Sequence, residues 1–323
     1  MYRILLSLMV ITLTLTSCKS KLEKKDKSLE EMQDEPANPE TYQPVLASAD
    51  ATPIYKKIND STEMHLNVYF PEGAKEGDAY PTIIYFFSGA FLTGSPAQFE
   101  EHCKYFSGRG MVAITADYRV IKRNKGNALN CIYDAKSAVR YIREHAAELH
   151  VDPNKVVVAG GSAGAFLALT CAIDDPKWQD PNDNPAISCV PNAMVLMNPV
   201  VNAVEHKFRI EKFKDNIKQK NTESHAAEVD PLTHIKSGMP PAIMFHGTAD
   251  KIAGYKFTQQ YVNDYTAAGN QIELVSYEGQ KHGFTALKFE DGKYYREALY
   301  KSDEFLAKLG YISGPPTIKL DGE

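Results

Sequence analysis

Residues 156–169 run from three valines, Val156 to Val158, through Ala159 and the pentapeptide Gly160-Gly161-Ser162-Ala163-Gly164 into a stretch of Ala, Phe and Leu. A strand passing directly into a helix through Gly-x-Ser-x-Gly must turn sharply, and the missing side chains at Gly160 and Gly164 permit the close approach. Such a turn pushes the Ser162 hydroxyl out at the carboxyl end of a sheet. The pentapeptide alone recurs by chance in roughly one chain in ten of this length, so its flanks carry the argument: an apolar strand before it and an apolar helix after it. A neutral serine hydroxyl is a poor nucleophile. It needs an imidazole to take its proton and a carboxylate to hold the ring's tautomer and orientation.

Both partners are found downstream. Pro241 to Phe245 is an apolar run ending in the polar turn His246-Gly247-Thr248-Ala249-Asp250, which delivers Asp250 at a strand's carboxyl end. Glu273 to Tyr277 reads as a further strand, and His282 follows it in a loop of small and flexible residues. The expected set is therefore Ser162 as nucleophile, His282 as base and Asp250 as the orienting acid. His246 is the rival base, but its place between a strand and a Gly-Thr turn suits it better to supporting the turn that carries Asp250.

An acyl-transfer site also needs backbone N–H groups aimed at the developing oxyanion, and these ask for small residues in a loop. The turn after the apolar run 82–87, Ser88-Gly89-Ala90, supplies them. The stretch Phe87-Ser88-Gly89-Ala90 resembles the His-Gly-Gly-Gly loop of the hormone-sensitive-lipase type of α/β-hydrolase esterases, and by that match Gly89, Ala90 and Ala163 would donate the N–H groups. Phe87 stands where the family has histidine, and Ser88 and Ala90 replace two glycines. A phenylalanine here resembles a narrower group of bacterial acetylxylan and feruloyl esterases. Residues 109–120, 134–140 and 145–149 are similar to that group as well, and the likeness covers about residues 62–310. It implies an α/β-hydrolase fold and a serine esterase acting on acetyl or feruloyl groups of plant polysaccharides, with no cofactor. It also places cysteines at Cys103 and Cys131, on helices flanking the 112–116 strand, and so implies a disulfide between them. Buried free thiols are the competing reading for these two and for Cys171 and Cys189.

The elements around these residues alternate. Strands are expected at 66–70, 82–87, 112–116, 155–159, 193–197, 242–245 and 272–277, and helices at 97–108, 131–148, 163–171, 255–268 and 294–309. Continuous apolar strands between helices mean a mostly parallel central sheet covered on both faces. The charged stretch 204–227 is expected as a small cap insertion or a surface insertion. Trp178, the only tryptophan, sits in a polar loop as a loop anchor or a sugar platform.

The start of the chain is expected to be a lipoprotein signal, 1–17. A short basic beginning precedes an apolar run at 4–16, too short for a membrane span, and Leu15-Thr16-Ser17-Cys18 resembles a lipobox. Cys18 would then carry lipid and hold the protein on a bacterial outer membrane. Residues 18–50, rich in Lys, Glu, Asp, Gln and Pro, read as a disordered tether, and 51–323 as the catalytic domain. A net charge of −5 argues against polyanion partners, and no glycine fingerprint or basic cluster suits nucleic acid. Neither Cys-x-x-Cys nor a helical histidine pair is present, so no metal site is expected. The substrate class is an acylated carbohydrate or another small ester. Two rivals are a serine peptidase, which would need residues for a gating domain, and a non-catalytic carbohydrate-binding lipoprotein derived from an esterase.

Overall fold

Eight strands form one sheet: β1 (Ile54–Asn59), β2 (Thr62–Tyr69), β3 (Tyr80–Phe86), β4 (Val112–Ala116), β5 (Val151–Gly161), β6 (Ala193–Met197), β7 (Ala242–Gly247) and β8 (Ile272–Tyr277). Their spatial order is β1-β2-β4-β3-β5-β6-β7-β8. The β1/β2 and β2/β4 pairs are antiparallel and every other pair is parallel. In this computed structural model the structure describes residues 42–204 and 228–322. The expected signal 1–17, Cys18, the tether as far as residue 41 and the insertion 205–227 lie outside the described residues.

The interior strands β4 and β6 are buried along their whole length, the pattern of a parallel sheet with helices on both sides. The helices are α1 (Glu100–Gly108), the short α2 (Ile121–Asn124), α3 (Ala128–Glu144), α4 (Ala163–Cys171), α5 (Tyr255–Ala267) and α6 (Lys293–Lys308). Connections between parallel strands are right-handed, so the strand order assigns each helix to a face. The chain steps one way from β3 to β4, through α1. From β4 to β5, β5 to β6 and β7 to β8 it steps the other way, placing α3, α4 and α5 on the opposite face. Asp303 of α6, fully buried, accepts from Tyr105 Oη (2.5 Å) in α1 and from Arg109 Nε (2.6 Å) just beyond it, which ties α6 to the α1 face.

This topology corrects the expected disulfide. Cys103 lies on α1 and Cys131 on α3, with the sheet between them, and Cys103, Cys131, Cys171 and Cys189 are all buried free thiols. Cys131 Sγ donates to Arg119 O (3.0 Å), and burial pushes the thiols of Cys103, Cys131 and Cys171 up from their ordinary range. The resemblance located the cysteines along the chain but carried no information about the face of the sheet.

Smaller departures have local causes. α3 begins at Ala128, three residues before the expected start, because Asn127 and Asn130 make a reciprocal capping box. The folded unit begins at Gln43. Within the stretch expected as the end of the tether, Leu46 is buried, its N–H donates to Asn67 Oδ1 (2.6 Å), and Asp50 accepts Phe70 N–H (2.7 Å).

Candidate active site

β3 and β5 are adjacent, paired as Tyr85↔Ala159 and Phe86↔Gly160, yet the chain leaves them toward opposite faces, through α1 and α4. Ligand sites of open α/β sheets form where connections diverge in this way, at the strands' carboxyl ends. Here the turn after β3 and the turn after β5 come side by side.

Ser162 links β5 to α4 with φ 51° and ψ −112°, a combination that side-chain-bearing residues rarely adopt. The crowding behind it explains the glycines. A Cβ on Gly160 would lie 2.5 Å from Gly164 C, and one on Gly164 would lie 2.0 Å from Phe86 O. Ser162 N–H is held by Met197 O at 2.8 Å, so the turn is braced from β6.

The loops after β7 and β8 are laced together. Ala249 N–H donates to Gln280 O (3.0 Å), Thr248 N–H to Tyr277 O (3.0 Å), and Gly279 N–H to Thr248 Oγ1 (2.9 Å). A Cβ on Gly247 would meet Gln280 O at 2.2 Å, so only glycine permits the approach. This lacing brings together the three residues expected from sequence. Ser162 Oγ lies 2.8 Å from His282 Nε2, and His282 Nδ1 lies 2.7 Å from Asp250 Oδ2. Asp250 is buried, and its Oδ1 accepts from Ile252 N–H (2.8 Å) and Ala253 N–H (2.9 Å). Burial pushes the Asp250 carboxyl up, but His246, His282 and the backbone donors outweigh that and hold it well below the usual carboxylate range. It therefore stays ionised at any pH where His282 is an effective base. Through Nδ1–H the ring bonds to this carboxylate, and its Nε2 lone pair then faces the serine.

His246 is not beside Ser162. It is fully buried behind Asp250, with Nε2 3.0 Å from Asp250 Oδ2 and Nδ1 2.9 Å from Thr258 Oγ1. At that distance the ring contacts the carboxylate directly and helps to hold it ionised. This agrees with the expected support of the turn and adds a direct contact with the acid.

In the turn after β3, Gly89, Ala90 and Phe91 all have positive φ (121°, 58° and 63°). Among the described residues, the N–H groups of Gly89, Ala90 and Ala163 donate to no chain acceptor. The replacement of histidine by Phe87 leaves this turn well anchored. The Phe87 ring stacks on Tyr118 with centroids 4.0 Å apart, Tyr118 Oη donates to Phe87 O (2.7 Å), and the backbone N–H of Ile121 reaches Phe91 O (2.9 Å). Neither Tyr118 nor Gln98, which bonds Ser88 (2.6 Å), stands out in the sequence, because no local pattern links them to the turn. Trp178 is 5% exposed, which fits a loop anchor and leaves no open platform for a sugar.

A BD-FAE family model matches residues 66–264. Among solved structures, Thermogutta terrifontis esterase 2 in a propionate-bound form is similar, with 39% identity, a TM-score of 0.74 and coverage of 82% of this chain and 96% of that one. The same protein phosphorylated by paraoxon matches at 39% identity and a TM-score of 0.74, over 82% of this chain and 95% of that one. A probable isoprenylcysteine alpha-carbonyl methylesterase of Arabidopsis thaliana is 23% identical over 69% of this chain and 49% of its own length. The probable carboxylic ester hydrolase LipM of Mycobacterium tuberculosis is 24% identical over 69% and 54%. The chain thus spans about half the length of the curated relatives it matches. The α/β-hydrolase fold expected from sequence is shared with these esterases.

Proposed function

The chain belongs to the BD-FAE family, and on that premise we propose that it is a serine carboxylesterase working through an acyl-enzyme. The observation that carries this reading is the unbroken line from Ser162 Oγ through His282 to Asp250, with contacts of 2.8 and 2.7 Å. Ser162 Oγ attacks the ester carbonyl carbon while its proton passes to His282 Nε2. The charge growing on the carbonyl oxygen is taken by the N–H groups of Gly89 or Ala90 and of Ala163. Collapse of the adduct breaks the bond to the alcohol oxygen, which takes the proton from His282 and leaves. Water then attacks the acyl-Ser162 with His282 again as base, and the acid departs.

For the substrate we propose a short acyl group, acetyl before feruloyl, on a carbohydrate alcohol. Two observations support it: the resemblance to polysaccharide-decorating esterases, and the propionate carried by the Thermogutta terrifontis relative. Activity should fall steeply from nitrophenyl acetate to nitrophenyl octanoate, and acetate should be released from acetylated xylan fragments. Preference for long chains, with no acid released from acetylated or feruloylated glycans, would make the enzyme a general lipid esterase instead.

The anchor is a separate proposal resting on Leu15-Thr16-Ser17-Cys18. A diacyl or triacyl Cys18 would hold the domain on the bacterial outer membrane, since each buried methylene contributes about 0.8 kcal/mol. Cells fed an alkyne fatty acid should incorporate it into the parent protein and not into Cys18→Ala. An unlipidated mature N-terminus beyond Cys18 would end this reading.

A further inference from the structure

The turn after β3 and the Ser162 turn are joined by a short chain of hydrogen bonds whose direction is fixed by chemistry. Gln98, exposed in the 3-10 turn Pro96–Phe99, accepts Ser88 N–H through Oε1 (2.6 Å) and donates Nε2–H to Ser88 Oγ (3.1 Å). An amide nitrogen only donates and a carbonyl oxygen only accepts. The Ser88 hydroxyl must therefore give its proton to Gly161 O, 3.0 Å away.

Gly161 O belongs to the peptide unit that ends at Ser162 N. That unit is held on one side by Ser88 and on the other by Met197 O, which accepts Ser162 N–H. Ser88 is directly followed by Gly89 and Ala90, and Ser162 by Ala163, so one hydroxyl bridges the two strands' sets of free N–H donors. The fit is reciprocal: a Cβ on Gly161 would lie 2.7 Å from Ser88 Oγ. Glycine at 161 thus makes room for serine at 88.

We propose that Ser88 and Gln98 are positioning residues that fix the separation of the two halves of the oxyanion hole. The inference rests on the esterase reading. Oxyanion donors act only when placed to within a fraction of an ångström, and a misplacement of about 1 Å costs roughly a hundredfold. Gln98→Glu is the discriminating variant. It keeps the shape and the acceptor for Ser88 N–H but cannot donate to Ser88 Oγ, and its carboxylate draws the hydroxyl proton away from Gly161 O.

The test uses nitrophenyl acetate turnover by the full chain and by Ser88→Ala, Gln98→Leu and Gln98→Glu, with thermal unfolding as a fold check. Each variant should lose roughly ten- to a hundredfold in kcat, with KM within about twofold. The inhibition constant of a trifluoromethyl ketone, which forms an oxyanion on Ser162, should weaken in proportion to kcat/KM. The constant for the neutral alcohol product should stay unchanged. Unaltered kcat in Ser88→Ala and Gln98→Glu, or equal weakening of both inhibitors, would overturn the proposal. Fluorophosphonate labelling of Ser162 separates it from the esterase reading, because phosphonylation builds charge in the same hole. A parent that is labelled but turns over no ester refutes the esterase reading alone, and the variants' labelling rates still decide whether the bridge positions the hole.

Discussion

Ser162→Ala is expected to lower kcat on nitrophenyl acetate by a factor on the order of 10⁶, the size of loss seen when the nucleophile of a serine triad is removed. Nothing else near Ser162 takes over: the N–H donors and His282 remain, but no atom is left to form the acyl bond. A residual acceleration of roughly 10³ over water is expected from binding and the oxyanion hole. The variant should unfold at nearly the parent temperature. The side chain is small, Ala tolerates φ 51° no better and no worse than Ser, and the Ser162 N–H bond to Met197 O is made by backbone. Loss of fluorophosphonate labelling together with loss of turnover is the matching result. Hydrolysis at close to the parent rate would remove Ser162 from the mechanism.

The second large effect belongs to the acid. Asp250→Asn should reduce kcat by roughly 10⁴, through the wrong tautomer and not through a fallen fold. Asn keeps an oxygen for Ile252 and Ala253 N–H, the two donors on Asp250 Oδ1. Its amide N–H₂ then faces His282 Nδ1, which must accept, so the ring proton moves to Nε2 and points at Ser162. A base carrying its proton on the working nitrogen cannot deprotonate the serine. The same amide faces His246 Nε2, 3.0 Å from the present carboxylate oxygen, so a modest loss of thermal stability should accompany the kinetic loss. Less than a tenfold drop in kcat would transfer the role to another carboxylate.

Ser162 and Asp250 were readable from the chain because each follows an apolar run, and runs of that kind are what a buried parallel strand requires; His282 was readable as the histidine in the loop after the half-exposed edge strand β8. Strands β4 and β6 have the expected bounds for the same reason, and the wholly buried helix α4 and the edge strand β8 have them as well. β1 was not readable. Its Ile-Tyr-Lys-Lys-Ile-Asn sequence has the charge of an exposed edge and no clean alternation, and it becomes a strand by pairing with β2. The bracing of the oxyanion turn was equally hidden. Phe87 meets Tyr118 across 31 residues and Ser88 meets Gly161 across 73, and no local periodicity encodes such contacts. The family resemblance marked Phe87, Ser88 and Ala90 as departures from a His-Gly-Gly-Gly loop. Only the packing reveals that Phe87 stacks on Tyr118 and that Ser88 bonds Gln98 and Gly161 O.

The four sealed thiols change how the folded body relates to its redox surroundings. Oxidants and thiol exchangers act on exposed thiolates, and Cys103, Cys131, Cys171 and Cys189 are all buried, with no sulfur in the line from Ser162 to Asp250. None of the four is cross-linked, so the described body is held together without a disulfide. Among the described residues, glutathione or dithiothreitol has no bond to cut. Within the described residues, then, a change of redox conditions meets neither a cross-link to break nor an exposed thiol to modify.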